Sequence, residues 1–433
     1  MDGHEGGLTM SDALKIGVIG GGSLFTPELV ELFASNTGIT GPVEIKLMDT
    51  DRERVRVVGG FCERILKRAG RPLTLTYADT YADAVKGSDF ILIQFRVGGE
   101  KSRVGDDRLG LKYKIPFVET VTVCGLASFL RTYYQMEMIA ELVGKYAPNA
   151  WVMNFSNPSG MLTEALYKLG CKKTVGICNG SLSLLEGLAK KLGAKPQDMF
   201  MNWRGLNHLT IVDYISYKGE NVYDQVVEQL GEESDELTPF PKRLIQNLGF
   251  IPNPYLRFNY LKEEATDRLQ KEEKTRAETV CEVNAELLDI YKDETLDTLP
   301  ELLKRRGGFG YAYSVVNLIR GMVANERTIH YAQIPNISLF RDLPPDAFVE
   351  VPVLSMENEV RAIQVEDLPE VVKPLIISMK KYEQLLIDAA MNRSRRGMYN
   401  AMLANPLFGS DCLSKPLLED VLSMNRAFLP EIN

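Results

Sequence analysis

Short apolar runs recur along the first half of the chain, and each is followed by a stretch with helical spacing of apolar positions. The runs are LKIGVIG, VEIKLMD, LTLTYA, DFILIQFR, AWVMNFSNPSG and KTVGICNG. Runs of this length, bounded by glycine, proline and asparagine, predict buried strands; alternation with helices predicts parallel strands covered on their faces. An open sheet of that kind places ligands beyond the carboxyl ends of its strands. QFR, NFSNPSG and GICNG lie at such ends, so Arg96, Asn154, Asn157 and Cys178 are expected to converge although they are distant in sequence.

Past Cys178 the pattern changes. A helix is predicted over roughly 182 to 192, HLTIVDYISY has strand character, and YKGEN reads as a hairpin turn. From about 253 to 292 the chain is helical and charged, and another helix is predicted over 311 to 324. Strands near 329 to 334 and 347 to 352 precede the helical run KPLIISMKKYEQLLIDAAMN and a final helical pair. No internal repeat, low-complexity tract or heptad array interrupts this.

Composition narrows the class. The 433 residues are 45% hydrophobic, enough for substantial cores and more readily two domains than one. A formal net charge of −8 argues against nucleic acid or an anionic membrane surface as partner. No run of about 18 apolar residues is present, and the amino terminus lacks the pattern of a signal peptide. Six scattered cysteines without paired spacing suit a reducing cytosol, so a cytoplasmic protein is expected. MDGHEGGLTMSD is polar and Gly-rich, which predicts a disordered extension over 1 to 14 with His4 exposed.

The first strand ends at GGGSLFTPELVELFAS. Gly20, Gly21 and Gly22 permit a tight turn, and the helix that follows offers free N–H groups to a pyrophosphate. Phe25 stands where the last glycine of the usual pattern would be. Asp49 ends the second strand, positioned to accept hydrogen bonds from an adenosine ribose and to repel a phosphate there, which favours NAD over NADP. Gly20, Gly21, Gly22, Ser23, Leu24, Phe25, Asp49 and Arg96 are therefore the candidate cofactor residues. The predicted fold is α/β: an N-terminal Rossmann-like doubly wound sheet over 15 to 198, then a mixed α+β substrate, metal and oligomerisation domain over 199 to 433.

Cys178 and His208 are the other chemical candidates. A soft sulfur and an imidazole can share one divalent metal, but two protein ligands are too few for a structural zinc site. A substrate supplying two oxygens would complete the shell, making the metal part of chemistry rather than of folding. A buried thiol and a satisfied structural histidine remain the competing reading.

Several ordered motifs together resemble glycoside hydrolase family four, the NAD- and divalent-metal-dependent glycosidases, and within it the 6-phospho-β-glucosidase branch. They are GVIGGGSLFTPELVE, QFRVGGEKSRVGDDRLGLKYKIP, NFSNPSGMLTEA, GICN, GLNHL, NPYLRF, TRAETV, RGGFGYA and NPLFGSD, spread from about Lys15 to Pro430. The resemblance implies Cys178 and His208 as ligands of a reduced divalent metal, usually manganese. It implies hydride transfer from C3 of the sugar to tightly held NAD, loss of the C2 proton, expulsion of the aglycone from C1, water addition and return of the hydride. Tyr255 matches the family's base, with metal and arginine side chains expected to favour its phenolate. Asn157 and Asn179 match positions near the glycone, and Arg103 and Arg276 match candidate partners for a phosphate. Asn179, where α-acting members carry aspartate, points to β-linked 6-phosphoglycosides. The implied partner is a small phosphorylated glycoside, and a homodimer or homotetramer is the family-level expectation.

Three departures bear on substrate. The family's CNVP is CNGS here, its ETTGVGG stretch is ETVTVCG, and a late turn is replaced by IPNISLF. They leave room for another glycone: a 6-phosphogalactoside, a galactoside or a uronide. A sugar or 2-hydroxyacid dehydrogenase would share the nucleotide half but release NADH and not need Cys178, His208 and Tyr255. A noncatalytic NAD-sensing protein would need only the glycine turn.

Overall fold

The computed structural model describes residues 13–36, 38–71 and 73–433. The expected disordered extension, with His4, falls outside the described residues apart from its last two positions. In chain order the strands are β1 Leu14–Ile19, β2 Val43–Met48, β3 Leu73–Tyr77, β4 Phe90–Ile93, β5 Trp151–Asn154, β6 Thr174–Gly176, β7 Met199–Leu206, β8 Leu209–Tyr217, β9 Glu220–Asn221, β10 Ile251–Pro252, β11 Thr328–Pro335, β12 Phe348–Met356 and β13 Glu359–Ala362. They form one mixed sheet in the order β10-β8-β7-β12-β11-β6-β5-β4-β1-β2-β3, with β13 on β12 and β9 on β8.

The segment β3-β2-β1-β4-β5-β6 is parallel throughout, the doubly wound order of dinucleotide-binding sheets. Its strands are apolar on both faces because helices cover both; Ile16, Val18, Ile45, Leu47, Ile91 and Val152 are almost fully buried. Local chemistry sets the boundaries. Asp51 caps the helix Arg52–Ala69 by accepting the Arg54 N–H at 3.0 Å, and Gly70 ends it with a φ of 66°.

The second half does not build a separate sheet. β11 lies antiparallel to β6 at Gln333 and Gly176, and β12 meets β7 at Glu350 and Gly205, so hydrogen bonding continues without a break. β7 escaped the sequence reading because its pattern, MFMNWRGL, is not an apolar run. Its buried polar residues are instead partnered: Arg204 forms an ion pair with Asp213, Asn202 also donates to Asp213, and Trp203 donates to Glu350 at 2.7 Å. The hairpin expected at YKGEN is present, pairing Tyr217 with Glu220. The stretch read as helical from 253 to 292 is broken into a 3-10 turn Pro254–Leu256 and helices Arg257–Tyr260, Lys262–Lys271 and Arg276–Tyr291. The last begins at a capping box formed by Thr275 and Glu278, a stop-and-restart signal inside a charged tract.

Candidate active site

A cavity of about 830 Å³ opens at the carboxyl ends of the parallel strands. At one end lies the glycine turn. The N–H groups of Gly20 and Gly21 both donate to Met48 O, and Gly22 N–H donates to Asp49 Oδ2 at 2.9 Å. Gly20 has a φ of 90°, and a Cβ there would sit 2.8 Å from the Gln94 backbone; one on Gly22 would sit 2.9 Å from Asp49 Oδ2. The turn is thus drawn tightly onto the ends of β2 and β4. Asp49 accepts a second N–H, from Asp51 at 3.0 Å, and each carboxylate oxygen keeps lone-pair capacity toward the cavity it lines. Phe25, in the capping position of helix Thr26–Ser35, supplies no side-chain oxygen to the first turn, where the Thr26 N–H donates to Ser23 O and Pro27 has none to give.

Ser23 and Phe25 line the cavity; Gly21 and Leu24 do not. Leu24 is buried in the core and its carbonyl accepts the Tyr291 hydroxyl at 2.8 Å. Phe25 meets the Tyr311 ring edge-on at 5.5 Å and carries the Arg306 guanidinium 4.3 Å above its face.

At the other end stand the thiol and the imidazole. Cys178 lies just past β6, and His208 occupies the tight turn between β7 and β8 at a φ of 66°, a conformation that must be held by its surroundings. The hold comes from Glu350, which is buried and accepts from Trp203, Asn207 and Gln333 at 2.7, 2.8 and 2.9 Å. Cys178 Sγ and His208 Nε2 are 3.6 Å apart. Burial, with Glu350 nearby, pushes the thiol up to about 12, and burial pushes the imidazole down to about 4, which keeps it neutral as a ligand.

A divalent cation with ligands at about 2.3 Å (sulfur) and 2.1 Å (nitrogen) in tetrahedral directions would separate them by about 3.6 Å, so the pair fits one ion. His208 Nδ1 and Asn207 Oδ1 are buried with no hydrogen-bond partner, further unspent polar capacity at this turn. Among the described residues no group of three or more His, Cys, Asp and Glu side chains could hold a metal, so the remaining positions of such a shell fall to other ligands.

Tyr255 stacks on His208, with ring centroids 4.1 Å apart and planes within 2°. The arginines near its hydroxyl do not by themselves favour the phenolate. Burial, then Glu119 and Cys178, hold it well above the ordinary phenol value, outweighing Arg103 and Arg257.

Between these ends sits Glu119, which sequence reasoning did not single out. Burial disfavours its charge, but Arg103, Arg96 and His208 prevail and hold its carboxyl well below the usual range. Arg96 pairs with Glu119 directly and with Glu100 at 3.5 Å; Arg103 reaches Glu119 and Glu100, each at 3.4 Å. Arg103 is therefore a matched cation rather than a free one; burial works against its charge, yet Glu119, Glu100 and Asp107 hold it well above the ordinary arginine value. Asn157 lies 3.5 Å from Glu119 and accepts from Thr120 at 3.4 Å. The available signal was position: Glu119 opens the ETVTVCG departure, and the β-branched Thr120 beside it has a φ of 77°.

Asn179 lines the cavity and donates to Phe309 O at 3.3 Å, tying the start of helix Gly180–Leu192 to the RGGFGYA loop. Arg276 donates through Nη2 to the carbonyls of Arg305 and Arg306 at 3.2 and 2.7 Å, and also lines the cavity. Asn154 does not line it. Its amide is spent on Ser156 O, Ser159 O and Thr163 Oγ1 inside the fold, which corrects the expectation that it converges on the ligand site. Arg306 is a further cavity residue the sequence reading missed, though it heads the RGGFGYA motif; burial lowers its pKa to about 10.

Fold and site together define a dinucleotide-binding α/β protein whose nucleotide cleft has acquired a thiol–imidazole pair. A malate dehydrogenase from Cryptosporidium parvum shares the fold, with a TM-score of 0.53 at 16% identity over 88% of this chain and 100% of that one. The chain belongs to the family 4 glycosyl hydrolases: the family profile matches residues 15–194 and its C-terminal domain profile residues 203–408. It is 33% identical to a probable 6-phospho-β-glucosidase of Bacillus subtilis over 98% of both chains. The structure of the 6-phospho-β-glucosidase from Thermotoga maritima with manganese, NAD+ and glucose-6-phosphate is similar at a TM-score of 0.89 and 32% identity, covering 96% of this chain and 99% of that one. No helix among the described residues is long and apolar enough to cross a membrane.

Proposed function

We propose that this chain is a 6-phospho-β-glucosidase that holds NAD at the glycine turn and a divalent cation, manganese by preference, at Cys178 and His208. The observation that carries this is the meeting of the glycine turn, Asp49, the Cys178–His208 pair and Tyr255 in a single cavity. The similarity to enzymes of that name supports the substrate. Bound NAD would supply a hydride acceptor, and a bound divalent cation a Lewis acid.

The chain's own residues supply the rest. Gly20, Gly22, Ser23 and Phe25 form the cradle for the pyrophosphate, and Asp49 accepts from the ribose. Arg96 and Arg103 fix Glu119, whose free acceptor capacity faces sugar hydroxyls together with Asn157 and Asn179. With NAD holding the C3 hydride, a C3 ketone would make the C2 proton acidic, and Tyr255 takes that proton. The electron pair left behind forms the C1–C2 double bond as the C1–O bond breaks and the aglycone leaves. Water adds across that bond with its oxygen on C1 and its hydrogen on C2, and return of the hydride to C3 would restore the sugar and NAD. Burial and Glu119 favour the protonated phenol of Tyr255, and a divalent cation held by the stacked His208 would favour its phenolate. Arg276 spends one nitrogen on backbone carbonyls and keeps its other donors for the substrate phosphate. A charged phosphosugar as substrate fits a cytoplasmic enzyme, and self-association as a homodimer or homotetramer fits the family.

Assays of metal-free and NAD-free preparations on a chromogenic 6-phospho-β-glucoside test the reading. Activity is expected only with both restored, and without accumulation of NADH. Full activity in either stripped preparation would overturn it.

A further inference from the structure

The antiparallel strands that extend the sheet carry buried polar side chains with no direct part in the reaction. Gly176 on β6 pairs with Gln333 on β11, Gln333 with Glu350 on β12, and Glu350 with Gly205 on β7, so the four stand in one line across the sheet. Gly176 leaves room for its neighbour, since a Cβ there would collide with Gln333 Oε1 and Thr163 Oγ1. Ser159 Oγ donates to Gln333 Oε1 at 2.6 Å, the shortest contact its hydroxyl makes. That bond fixes the Gln333 amide with its nitrogen toward Glu350 Oε2, which accepts it at 2.9 Å and accepts Asn207 Nδ2 at 2.8 Å. Trp203 donates to Oε1 at 2.7 Å. Three donors converging on one buried group require a group that only accepts, which a carboxylate is and an amide is not.

We propose that Glu350 is a positioning residue that sets the glycone turn and the metal turn as one unit, through a relay from Ser159 by way of Gln333 and Glu350 to Asn207. The inference rests on the function proposed above and goes beyond the anchoring of His208 alone. One end of the relay is the NPSG turn, where Ser159 follows Asn157 and Pro158; the other is Asn207, next to His208. The two turns also touch, because a Cβ on Gly160 would sit 3.1 Å from Asn207 Cβ. A sugar held both by a cation on His208 and by Asn157 needs those two groups at a fixed separation. A buried carboxylate bonded toward both turns fixes that separation without touching the sugar, and each bond polarises the next. Cation binding therefore responds to Ser159, although its hydroxyl bonds neither Cys178 nor His208.

The test titrates Mn2+ into the NAD-loaded chain and follows the free ion by its paramagnetic resonance signal, in the wild type, Ser159→Ala, Glu350→Gln and the double variant. A thermal melt and the NAD dissociation constant accompany each. Glu350→Gln keeps the shape of the side chain but turns an NH2 group against a donor, and is expected to weaken Mn2+ binding about tenfold. Ser159→Ala is expected to weaken it about threefold, and the double variant no further than Glu350→Gln alone, because both changes cut one relay. NAD affinity should stay within about twofold throughout, since the glycine turn is a separate element. Unchanged Mn2+ affinity in a folded Glu350→Gln overturns the positioning role. An unchanged Ser159→Ala, or a double variant weakened by the product of the two single factors, overturns the relay. An equal loss of NAD affinity overturns the proposal by showing a general loosening of the fold. If Glu350→Gln does not fold, Asn207→Ala, which cuts only the arm toward His208, is read against the same expectations. A wild type that binds no Mn2+ overturns instead the metal site on which the inference rests.

Discussion

Replacing Glu119 by glutamine removes the carboxylate shared by Arg96 and Arg103 while keeping its shape and one acceptor oxygen. The three side chains are 18%, 23% and 14% exposed, so the ion pairs are neither surface pairs nor fully dry ones. Breaking a buried pair costs about 3–5 kcal/mol and an exposed one at most about 1. Arg103 retains Glu100 at 3.4 Å, which puts the expected loss at about 2 kcal/mol. With an unfolding entropy of about 2.1 cal/mol/K per residue, 433 residues give about 0.9 kcal/mol/K, so the melting temperature should drop by about 2 °C at pH 7. The pH dependence follows from the depressed carboxyl. Its contribution is present above the unfolded value of about 4.3 and is lost as pH falls through the folded one. Calorimetric melts of both proteins from pH 8 to pH 3 should show a constant gap down to about pH 5 that narrows below it. Equal melting temperatures at pH 7, or a gap undiminished at pH 3, would refute the placement of Glu119 as the charged centre of the site.

Other side chains give separable outcomes. Cys178→Ser and His208→Ala should each lower bound manganese, measured by elemental analysis, while the NAD dissociation constant changes less than threefold, because the glycine turn is a separate element. Tyr255→Phe keeps the stack on His208 but removes the proton acceptor, so solvent deuterium incorporation at C2 of recovered glycone should fall at least a hundredfold with a melting temperature within about 1 °C of wild type; undiminished exchange would remove Tyr255 as the base. Ile337 is a β-branched residue at a φ of 40° and is 71% exposed, so Ile337→Asn should stabilise by about 1 kcal/mol; a lower melting temperature would show that the isoleucine makes contacts worth more than its strain.

The parallel half of the fold was legible because each of its strands is a continuous apolar run, which is what a sheet buried on both faces requires. Strand β7 was not, since Asn202, Trp203 and Arg204 are satisfied by Asp213 and Glu350, partners that sequence pattern does not reveal. The pairing of Cys178 with His208 could be proposed from residue type and motif, whereas the turn that aims His208 depends on Glu350, far along the chain. Arg103 shows the limit of reading a cation as a phosphate partner: its charge is already matched by Glu100 and Glu119. Asn154, at a strand end like Asn157, turned inward to bind the backbone of its own loop, a choice between two adjacent acceptor sets that spacing does not decide.

The central claim is a metal- and NAD-dependent cleavage of β-linked 6-phosphoglucosides. It is tested most directly by parallel measurement of kcat/KM on phosphorylated and unphosphorylated glucosides, galactosides and uronides in both anomeric forms, with NAD, manganese and a reductant supplied. On the proposed reading Arg276 keeps donors that only a phosphate would pair, so the 6-phospho-β-glucoside should exceed its unphosphorylated counterpart by at least about a thousandfold. A preference for an unphosphorylated or α-linked substrate would contradict the account.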